Sequence, residues 1–302
     1  MKKCKGINVL SLFNGMSTGR TALDNVGINI NKYYSSEIKS YAIKLTQYHY
    51  PDTIQLGNIN NWKDWDIDWS SIDLLLSGSP CQDLSSLGRE AGLNGNKSSL
   101  FFIFIDILNH IKKLNSNVIF LQENVNGASS KDIGIMSRAL GVYPIKINSN
   151  LLTAQNRIRY YWSNIKMKQY GLFGDLITDI PKPKDKLIFL NDILTSGMVK
   201  VKKHKTLLKR MYYSFGHKDK KSRKSQEYIL KRSKFGMTII YEDKYIRLAN
   251  KIELCRLQGF PDNWCNTLNL AKTASLLGDG WTLPIIEHIF KFLPYEKVQR
   301  HK

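Results

Sequence analysis

The sequence predicts an α/β fold built on a Rossmann-like, mostly parallel sheet with helices on both faces. Short apolar runs alternate with segments of helical periodicity between residues 7 and 165, which is typical of parallel sheets. Turns rich in glycine and serine follow two of the predicted strands, as in sheets that bind ligands at the carboxyl ends of their strands. The alternation stops near residue 166, which predicts a second, smaller domain.

The first predicted elements alternate strictly. The run INVLSLF is the first strand, and a glycine turn and a helix that ends at Gly27 follow it. NKYYSSE is the second strand, and its helix ends before Pro51. A short strand near residues 54–56 precedes the run IDLLL, whose apolar residues predict a strand buried on both faces.

The later elements complete two predicted domains. SLFFIFIDILNHIKKL predicts an apolar helix, NVIFLQ a buried strand and KDIGIMSRALG another helix. Residues 166–245 are basic and include the proline-rich DIPKPKDK, which predicts a small inserted domain. We expect residues 246–302, with a glycine turn between two helices, to return to the domain formed by residues 1–165.

The composition excludes several classes of protein. Hydrophobic residues make up 42% of the 302 residues, which excludes a disordered chain. No apolar stretch has membrane-spanning length, and the N-terminal apolar run ends in Asn-Gly without a cleavage site. The four cysteines form no C-x-x-C pair and no metal-ligand spacing with the histidines. We therefore expect a cytoplasmic protein without a metal site or disulfide framework.

Positive charge is concentrated in one segment. The formal net charge is +20, and residues 199–234 contribute +12 of it, with fourteen Lys and Arg against two acids. Such a cluster is expected where a polyanion binds. A lysine-rich coding bias on a solvated face would produce the same pattern, so the cluster by itself leaves both interpretations open.

Cys81 is a candidate nucleophile. It follows the IDLLL strand directly after Ser77-Gly78-Ser79-Pro80, and a polar segment rich in glycine comes next. A free cysteine is most often a small buried hydrophobe. This cysteine instead comes at the carboxyl end of a strand, where open α/β sheets bind their ligands.

A second group of residues indicates a nucleotide-like cofactor. Gly15 and Gly19 form a turn after the first strand, and Glu37 comes about twenty residues later at the end of the second strand. A carboxylate in this position binds two ribose hydroxyls. Both a nicotinamide dinucleotide and S-adenosylmethionine contain such a ribose, but the absence of G-x-G-x-x-G disfavours the dinucleotide.

Three further charged residues are candidates for the same site. Glu123 follows the NVIFLQ strand, where it is either a functional carboxylate or a helix cap. Arg157 and Arg159 lie two residues apart on one face of a predicted strand. Two arginines beside a thiol and a carboxylate suit a polar heterocycle with a nearby phosphate.

Seven short segments in order resemble the DNA cytosine-5 methyltransferases. They are SLFNGMSTG, SSEI, SPCQDLS, ENV, QNRIR, RLQGFPDNW and GDGWTLPIIEHIF. The match covers nearly all of the chain outside residues 166–245, and VLSLFNGMSTG and SLFFIF are most similar to the animal de novo branch and its bacterial and phage relatives. The resemblance implies an S-adenosylmethionine-dependent methyltransferase fold with an inserted target-recognition domain, and duplex DNA as the partner.

The resemblance also implies roles for the catalytic candidates. Cys81 would attack C6 of a cytosine flipped out of the duplex, and Glu123, with a pKa raised by burial, would hold or protonate N3. Arg159 would bind O2 of the base, and Arg157 would steady the site and a phosphate. The methyl group would come from S-adenosyl-L-methionine.

The remaining binding residues are carried over in the same way. Those implied to contact the cofactor are Phe13, Asn14, Gly15, Met16, Ser17, Glu37, Ile38, Asn58, Ile59, Leu100, Asp279, Gly280 and Trp281. The candidates for DNA or base contact are Pro80, Gln82, Ser85, Gln155, Lys202, Lys203, Lys205 and Arg210. The chain departs from the family at Asn58, where an aspartate is usual, so the bond to the adenine amino group would lack charge. It also has Ala249 where the family has threonine.

Three alternatives belong to other classes. An RNA cytosine-5 methyltransferase would share the site, but its relatives carry a Cys-Phe-Thr segment that is absent here. A DNA-binding accessory without activity would be expected to lose Cys81, Glu123 or the arginines, and all are present. A nicotinamide dehydrogenase would fit the sheet but leaves Pro80-Cys81, Glu123 and the basic segment unexplained.

Overall fold

The described part of the chain forms two compact units. The structure is a computed structural model, and it describes residues 6–79, 100–171, 174–207, 221–233 and 237–294. Of these described residues, the first unit comprises those within 1–147, 158–182 and 287–302, and the second comprises those within 148–157 and 183–286. A target-recognition role for residues 166–245 stays a prediction, because the division into compact units does not show which part of the chain binds a target.

The first unit is built on a seven-stranded sheet. Its strands are β1 (Ile7–Leu12), β2 (Ile30–Ser36), β3 (Ile54–Gln55), β4 (Leu74–Ser77), β5 (Ile119–Val125), β6 (Ile145–Asn148) and β7 (Ile158–Ser163). The order across the sheet is β3-β2-β1-β4-β5-β7-β6. β3, β2, β1, β4 and β5 are parallel to their neighbours in this series, and β7 is antiparallel to β5. The predicted mostly parallel sheet is confirmed.

Helices alternate with the strands of the first unit. They are α1 (Thr18–Asn25), α2 (Ser40–His49), α3 (Leu100–Leu114) and α4 (Ser130–Leu140). Ser129 begins α4 with a capping box to Asp132, and Gly141 ends it in the left-handed region with φ 73°. A hairpin of β8 (Met167–Tyr170) and β9 (Asp175–Thr178), which sequence patterning did not predict, lies in the same unit.

Apolar side chains in register across the central strands form the core of this unit. Leu10, Leu75 and Phe120 are neighbours on β1, β4 and β5, and each is buried. They pack with Phe104 and Ile107 of α3 in one cluster. Burial of each such side chain contributes about 2 kcal/mol. Selection for this burial on both faces gives the strands their nearly continuous apolar sequence.

The second unit is largely irregular and contains short elements. They are α5 (Arg223–Ser233), β10 (Ile240–Tyr241), β11 (Ile246–Arg247), α6 (Lys251–Leu257) and α7 (Leu270–Asp279), and α8 (Leu283–Phe290) follows. Cys255 and Cys265 are buried free thiols. Among the described residues, no helix is both long and apolar enough to cross a membrane.

A buried ion network joins β11 to α6 in the second unit. The Arg247 guanidinium donates to both carboxylate oxygens of Glu253, at 2.7 and 2.8 Å, and to Glu242 at 2.5 Å. Glu253 also forms a capping box with Asn250 at the start of α6. Although burial opposes the charge of Arg247, hydrogen bonds to the two carboxylates raise its pKa. Spacing along the sequence did not predict this network, although N-x-x-E before α6 is a helix-start signal.

Candidate active site

Glu37 joins the end of β2 to the glycine turn after β1. Its Oε2 accepts a hydrogen bond from the Gly15 N–H at 2.9 Å, and its Oε1 accepts from the N–H groups of Ile38 and Lys39 at 2.8 and 2.9 Å. Because a carboxylate has about four lone-pair sites, one remains for an outside donor such as a ribose hydroxyl. Parallel strands in neighbouring positions bring these two segments to one edge of the sheet.

The turn itself has an unusual backbone. Phe13, Gly15 and Ser17 all have positive φ, at 55°, 59° and 62°. Left-handed backbone is ordinary for glycine and costly for the other two residues, and such strain concentrates at binding sites. The N–H groups of the turn are engaged within the protein, since the Asn14 N–H donates to Ser36 O at 3.2 Å and the Ser17 N–H donates to Asn14 O at 3.1 Å.

A buried polar network holds the turn in place. Asn14 Nδ2 donates to Ser17 Oγ at 2.8 Å and to Thr46 Oγ1 at 3.4 Å, and the Tyr33 hydroxyl donates to Asn14 Oδ1 at 3.1 Å. Ser17 Oγ and Thr46 Oγ1 also lie 2.8 Å apart. Burial raises the pKa of Tyr33, so its hydroxyl stays protonated as a donor.

Two members of this network, Thr46 on α2 and Tyr33 on β2, were not among the sequence-predicted residues. A threonine on the core-facing side of an amphipathic helix was the available signal. Met16, predicted as a cofactor contact, is buried in the same turn. Asn14, predicted for the same role, contributes its side chain to the support of the turn.

Two residues predicted to hold an adenine lie after β2 and β3. Ile38 is 72% exposed, a large apolar side chain without a covering segment in the described chain. Asn58 begins a 3-10 helix, Ile59–Asp64, and its Oδ1 accepts from the Asn60 N–H at 3.0 Å. The Asn58 side chain therefore caps this helix, and its predicted contact with the adenine amino group stays a prediction.

Two other predicted cofactor contacts differ in burial. Ile59 is buried, and Leu100 is half-buried at the start of α3. Ser36 Oγ donates to Gly57 O at 2.8 Å, which ties the end of β2 to the segment before the 3-10 helix. This bond fixes the spacing between the two chain segments predicted to enclose the base.

Glu123 and Arg159 form a buried ion pair at the carboxyl end of β5. Arg159 Nε lies 2.9 Å from Glu123 Oε1, and the two side chains are only 12% and 10% exposed. In the antiparallel register of β5 and β7, Val125 faces Arg159 and Glu123 faces Tyr161, so the pair is diagonal on one face of the sheet. The sequence placed Glu123 after the strand, but β5 extends to Val125, so Glu123 lies within the strand and caps no helix.

Cys81, Pro80, Gln82, Ser85 and Arg210 lie outside the described residues, so their predicted roles stay predictions. The segment that leads to Cys81 is described as far as Ser79. Gln122 Nε2 donates to Ser79 Oγ at 2.8 Å and to Glu123 O at 2.8 Å. Because β4 and β5 are adjacent and parallel, the chain leaves β4 beside the strand that carries Glu123.

Arg157 is enclosed by backbone carbonyls of the second unit. It is 2% exposed, and its guanidinium donates to Leu207 O at 3.3 Å. It also donates to the carbonyls of Gly278 and Gly280, at 3.0 and 2.8 Å. These bonds fix the end of α7, so Arg157 has a structural role here, and its predicted contact with a phosphate stays a prediction.

Gln155 has a similar structural role. Its side chain donates to Leu257 O at 3.3 Å and accepts from the Leu207 N–H at 2.9 Å. Its predicted contact with DNA stays a prediction. The cofactor contacts predicted for Asp279, Gly280 and Trp281 also stay predictions. Asp279 ends α7 and is exposed, and the other two residues are half-buried.

The predicted basic contacts differ in their surroundings. Lys202 and Lys205 are exposed, whereas Lys203 is half-buried. The Lys203 ammonium donates to three backbone carbonyls, those of Asn150, Thr153 and Ile188. Lys203 thus fixes three segments of the second unit, although no feature of its sequence neighbourhood distinguishes it. Among the described residues, no group of three or more His, Cys, Asp or Glu side chains could hold a metal ion.

Comparison with models of known protein families identifies the family of this chain. The family model described as C-5 cytosine-specific DNA methylase matches residues 7–227. The chain belongs to this family. The match spans the Glu37 and Gly15 turn, the Glu123–Arg159 pair and Cys81, so the predicted family resemblance is confirmed.

Curated relatives come from a phage and from bacteria. The orphan methyltransferase M.Rho11sI of Bacillus phage rho11s is 29% identical over 262 residues, which cover 82% of this chain and 48% of the relative. The type II methyltransferase M.NgoBV of Neisseria gonorrhoeae is 28% identical over 209 residues, which cover 64% of this chain and 47% of the relative. The chain therefore spans about half the length of these curated relatives.

Solved structures share the fold. The Entamoeba histolytica methyltransferase EhMeth superposes with a TM-score of 0.65 at 15% identity, covering 97% of this chain and 99% of that chain. The S. pombe Dnmt2 methyltransferase gives a TM-score of 0.62 at 15% identity, with the same coverage. At such identities the likeness shows the fold, and it confirms the predicted methyltransferase architecture.

Proposed function

We propose that the protein transfers a methyl group from S-adenosyl-L-methionine to C5 of cytosine in duplex DNA. The observation that carries this proposal is the buried Glu123–Arg159 pair beside the strand that leads to Cys81, in a chain of the cytosine-5 methylase family. A carboxyl and a guanidinium on one face match the ring nitrogen and carbonyl oxygen of a cytosine.

The first unit fits the cofactor of this family. Members use S-adenosyl-L-methionine, which supplies an electrophilic methyl group when bound. Glu37 has an acceptor site left for a ribose hydroxyl, and exposed Ile38 offers an apolar surface to a base. The strained turn from Phe13 to Ser17 is held against Glu37 by the Gly15 N–H, at the edge of the sheet where open α/β folds bind their ligands.

The chain's own residues then activate the cytosine. The Cys81 thiolate adds to C6, and the electrons of the C5–C6 bond move toward the ring carbonyl and N3. Glu123 donates a proton or hydrogen bond at N3, and Arg159 binds O2, so negative charge on the ring is stabilised. Attack of C5 on the methyl group would break the bond between that methyl and the sulfonium sulfur, which would leave as a thioether. Loss of the C5 proton to solvent and departure of the Cys81 sulfur as a thiolate then restore the C5–C6 double bond. The base is out of reach within a duplex, so it must be flipped out.

Transfer of labelled methyl groups tests the proposal directly. The protein is incubated with labelled S-adenosyl-L-methionine and either duplex DNA or tRNA, and DNA from an expressing host is sequenced after bisulfite treatment. We expect label at cytosine C5 in DNA at a defined sequence. Label in tRNA with none in DNA would contradict the proposal and favour an RNA substrate.

Replacement of Cys81 with serine tests the nucleophile. The variant should bind DNA and cofactor as the wild type does and lose turnover, because a hydroxyl is a far weaker nucleophile than a thiolate. DNA with 5-fluorocytosine should form a covalent complex with the wild type alone. Methylation by the variant within a few-fold of the wild type would instead make Cys81 a structural cysteine.

A further inference from the structure

Leu187 combines a left-handed backbone conformation with an exposed apolar side chain. Its φ is 56°, in the left-handed region that leucine rarely adopts. Its side chain is 63% exposed, so packing within the described chain does not compensate for this conformation. Strained residues of this kind are retained chiefly where the conformation serves binding.

The conformation of Leu187 is imposed by its neighbours. Asp185 Oδ1 accepts from the Leu187 N–H at 2.7 Å, and the N–H of Lys186 donates to Leu151 O at 2.8 Å. On the other side of Leu187, the carbonyl of Ile188 accepts a hydrogen bond from the Lys203 ammonium. The segment that carries Leu187 is therefore anchored on both sides, and the exposed leucine side chain stands on a fixed backbone.

Other exposed apolar side chains lie on the segment that carries Leu187, residues 184–192, and on a second segment, residues 198–205, that is hydrogen-bonded to it. The Leu190 N–H donates to Lys202 O at 2.8 Å, and the Val199 N–H donates to Asn191 Oδ1 at 2.9 Å, so the two segments are joined. The exposed large hydrophobic residues of the two segments, which we call the Leu187 surface, are Leu187, Phe189, Met198 and Val201.

Positive charge accompanies the Leu187 surface. The exposed lysines of the same two segments are Lys184, Lys186, Lys200, Lys202 and Lys205. Two acids of these segments are engaged by the backbone, since Asp185 accepts from the Leu187 N–H and Asp192 accepts from the Phe189 N–H at 2.6 Å. A fixed apolar projection among lysines complements a polyanion that also has apolar faces.

We propose that the Leu187 surface binds a nucleic-acid duplex, with Leu187 as its apolar contact in a groove. The lysines would contact phosphates, and Leu187 would pack against sugars or base edges or between bases. This inference rests on the proposed function for the choice of nucleic acid over another polyanion. It adds a specific contact residue, outside the predicted basic contacts, to that function.

Replacement of Leu187 with asparagine separates binding from folding. Asparagine tolerates left-handed backbone, so the melting midpoint of L187N should equal or exceed that of the wild type. Loss of the apolar contact should weaken binding of a duplex with the methylated sequence by about tenfold. The slope of log affinity against log salt should not change, because leucine neutralises no phosphate.

The matched control is Leu114→Asn, at an exposed leucine at the end of α3 in the first unit. It should change neither duplex affinity nor methyl transfer. Fluorescence anisotropy with a labelled duplex gives affinity at several salt concentrations, and labelled methyl transfer at low DNA concentration gives an independent readout. L187N should lower methyl transfer at low DNA concentration and recover near saturation.

Each contrary outcome is distinct. A wild type that binds duplex and methylates it, with L187N unchanged in affinity, overturns the inference and leaves the proposed function intact. A wild type that methylates no DNA overturns the proposed function itself. Binding of the wild type to anionic phosphatidylserine vesicles, lost in L187N while duplex affinity is unchanged, assigns the Leu187 surface to a lipid and also overturns the inference.

Discussion

Neutralising Lys202 and Lys205 together should reduce the salt dependence of DNA binding, whereas neutralising Lys203 should not. The three lysines lie within four residues of the same basic segment. Lys202 and Lys205 are exposed, but the Lys203 ammonium is engaged by three backbone carbonyls. An ammonium that donates to three carbonyls has no donor left for a phosphate. We therefore expect Lys202 and Lys205 to contact DNA and Lys203 not to, although all three are lysines of the same basic segment.

The size of the effect follows from counterion release. Each phosphate contact adds about 0.9 to the negative slope of log affinity against log salt, so two lost contacts flatten the slope by about 1.8. Between about 50 and 200 mM salt, the affinity of the double variant should therefore fall about twelvefold less than that of the wild type. Lys203→Gln should keep the wild-type slope and lose about 2 kcal/mol of stability, because charge-assisted bonds to three carbonyls are removed.

Fluorescence anisotropy with a labelled duplex at four or more salt concentrations measures the slopes, and chemical denaturation measures the stabilities. Lys113→Gln with Lys131→Gln is the control of equal charge change, since both lysines are exposed on helices of the first unit. Equal slopes for the Lys202/Lys205 variant and the control pair would refute the reasoning. A Lys203 variant with flattened slope and full stability would refute it as well.

Three other changes have defined outcomes. Arg157→Lys loses planar donors to two carbonyls at the end of α7, so the KM for S-adenosyl-L-methionine should rise several-fold with little change in kcat; an altered kcat alone would contradict this. Thr46→Val should raise the same KM because it removes a support of the glycine turn, and Thr46→Ser should restore it; equal effects of both variants would exclude the hydrogen bond as the cause. Burial alone would raise the pKa of Glu253, but hydrogen bonding to Arg247 lowers this pKa below the ordinary value of 4.5. The ionised Glu253 carboxylate therefore stabilises the folded protein above pH 4.5, and this stabilisation is lost as the pH falls through the lowered pKa. A denaturation midpoint that stays constant from about pH 6 to 3 would contradict this.

The alternation of apolar strands and helices was sufficient to predict the sheet and its parallel character. A parallel strand is buried on both faces, so its sequence is a nearly continuous apolar run that needs no knowledge of its neighbours. The β8–β9 hairpin and the elements α5, β10 and β11 of the second unit were not predicted, whereas the helices on either side of the glycine turn, α7 and α8, were predicted. β8 is exposed along its whole length, so it has no hydrophobic period to detect.

The sequence by itself determined the family and the candidate residues, because ordered short motifs survive as patterns of residue type. It predicted that Glu37 and Glu123 lie at carboxyl ends of strands, and the structure places Glu37 against Gly15 and Glu123 against Arg159. These contacts follow from strand order, which brings the ends of separate strands to one edge of the sheet.

Only the tertiary structure decided which charged side chains are engaged within the protein. Arg157 and Lys203 donate to backbone carbonyls, while Lys202 and Lys205 are exposed. Burial and hydrogen-bond partners depend on segments far apart in sequence, and a local pattern contains no information about which segments meet. The same lysine or arginine therefore acts as a structural donor or as a free positive charge according to the neighbours that the fold supplies.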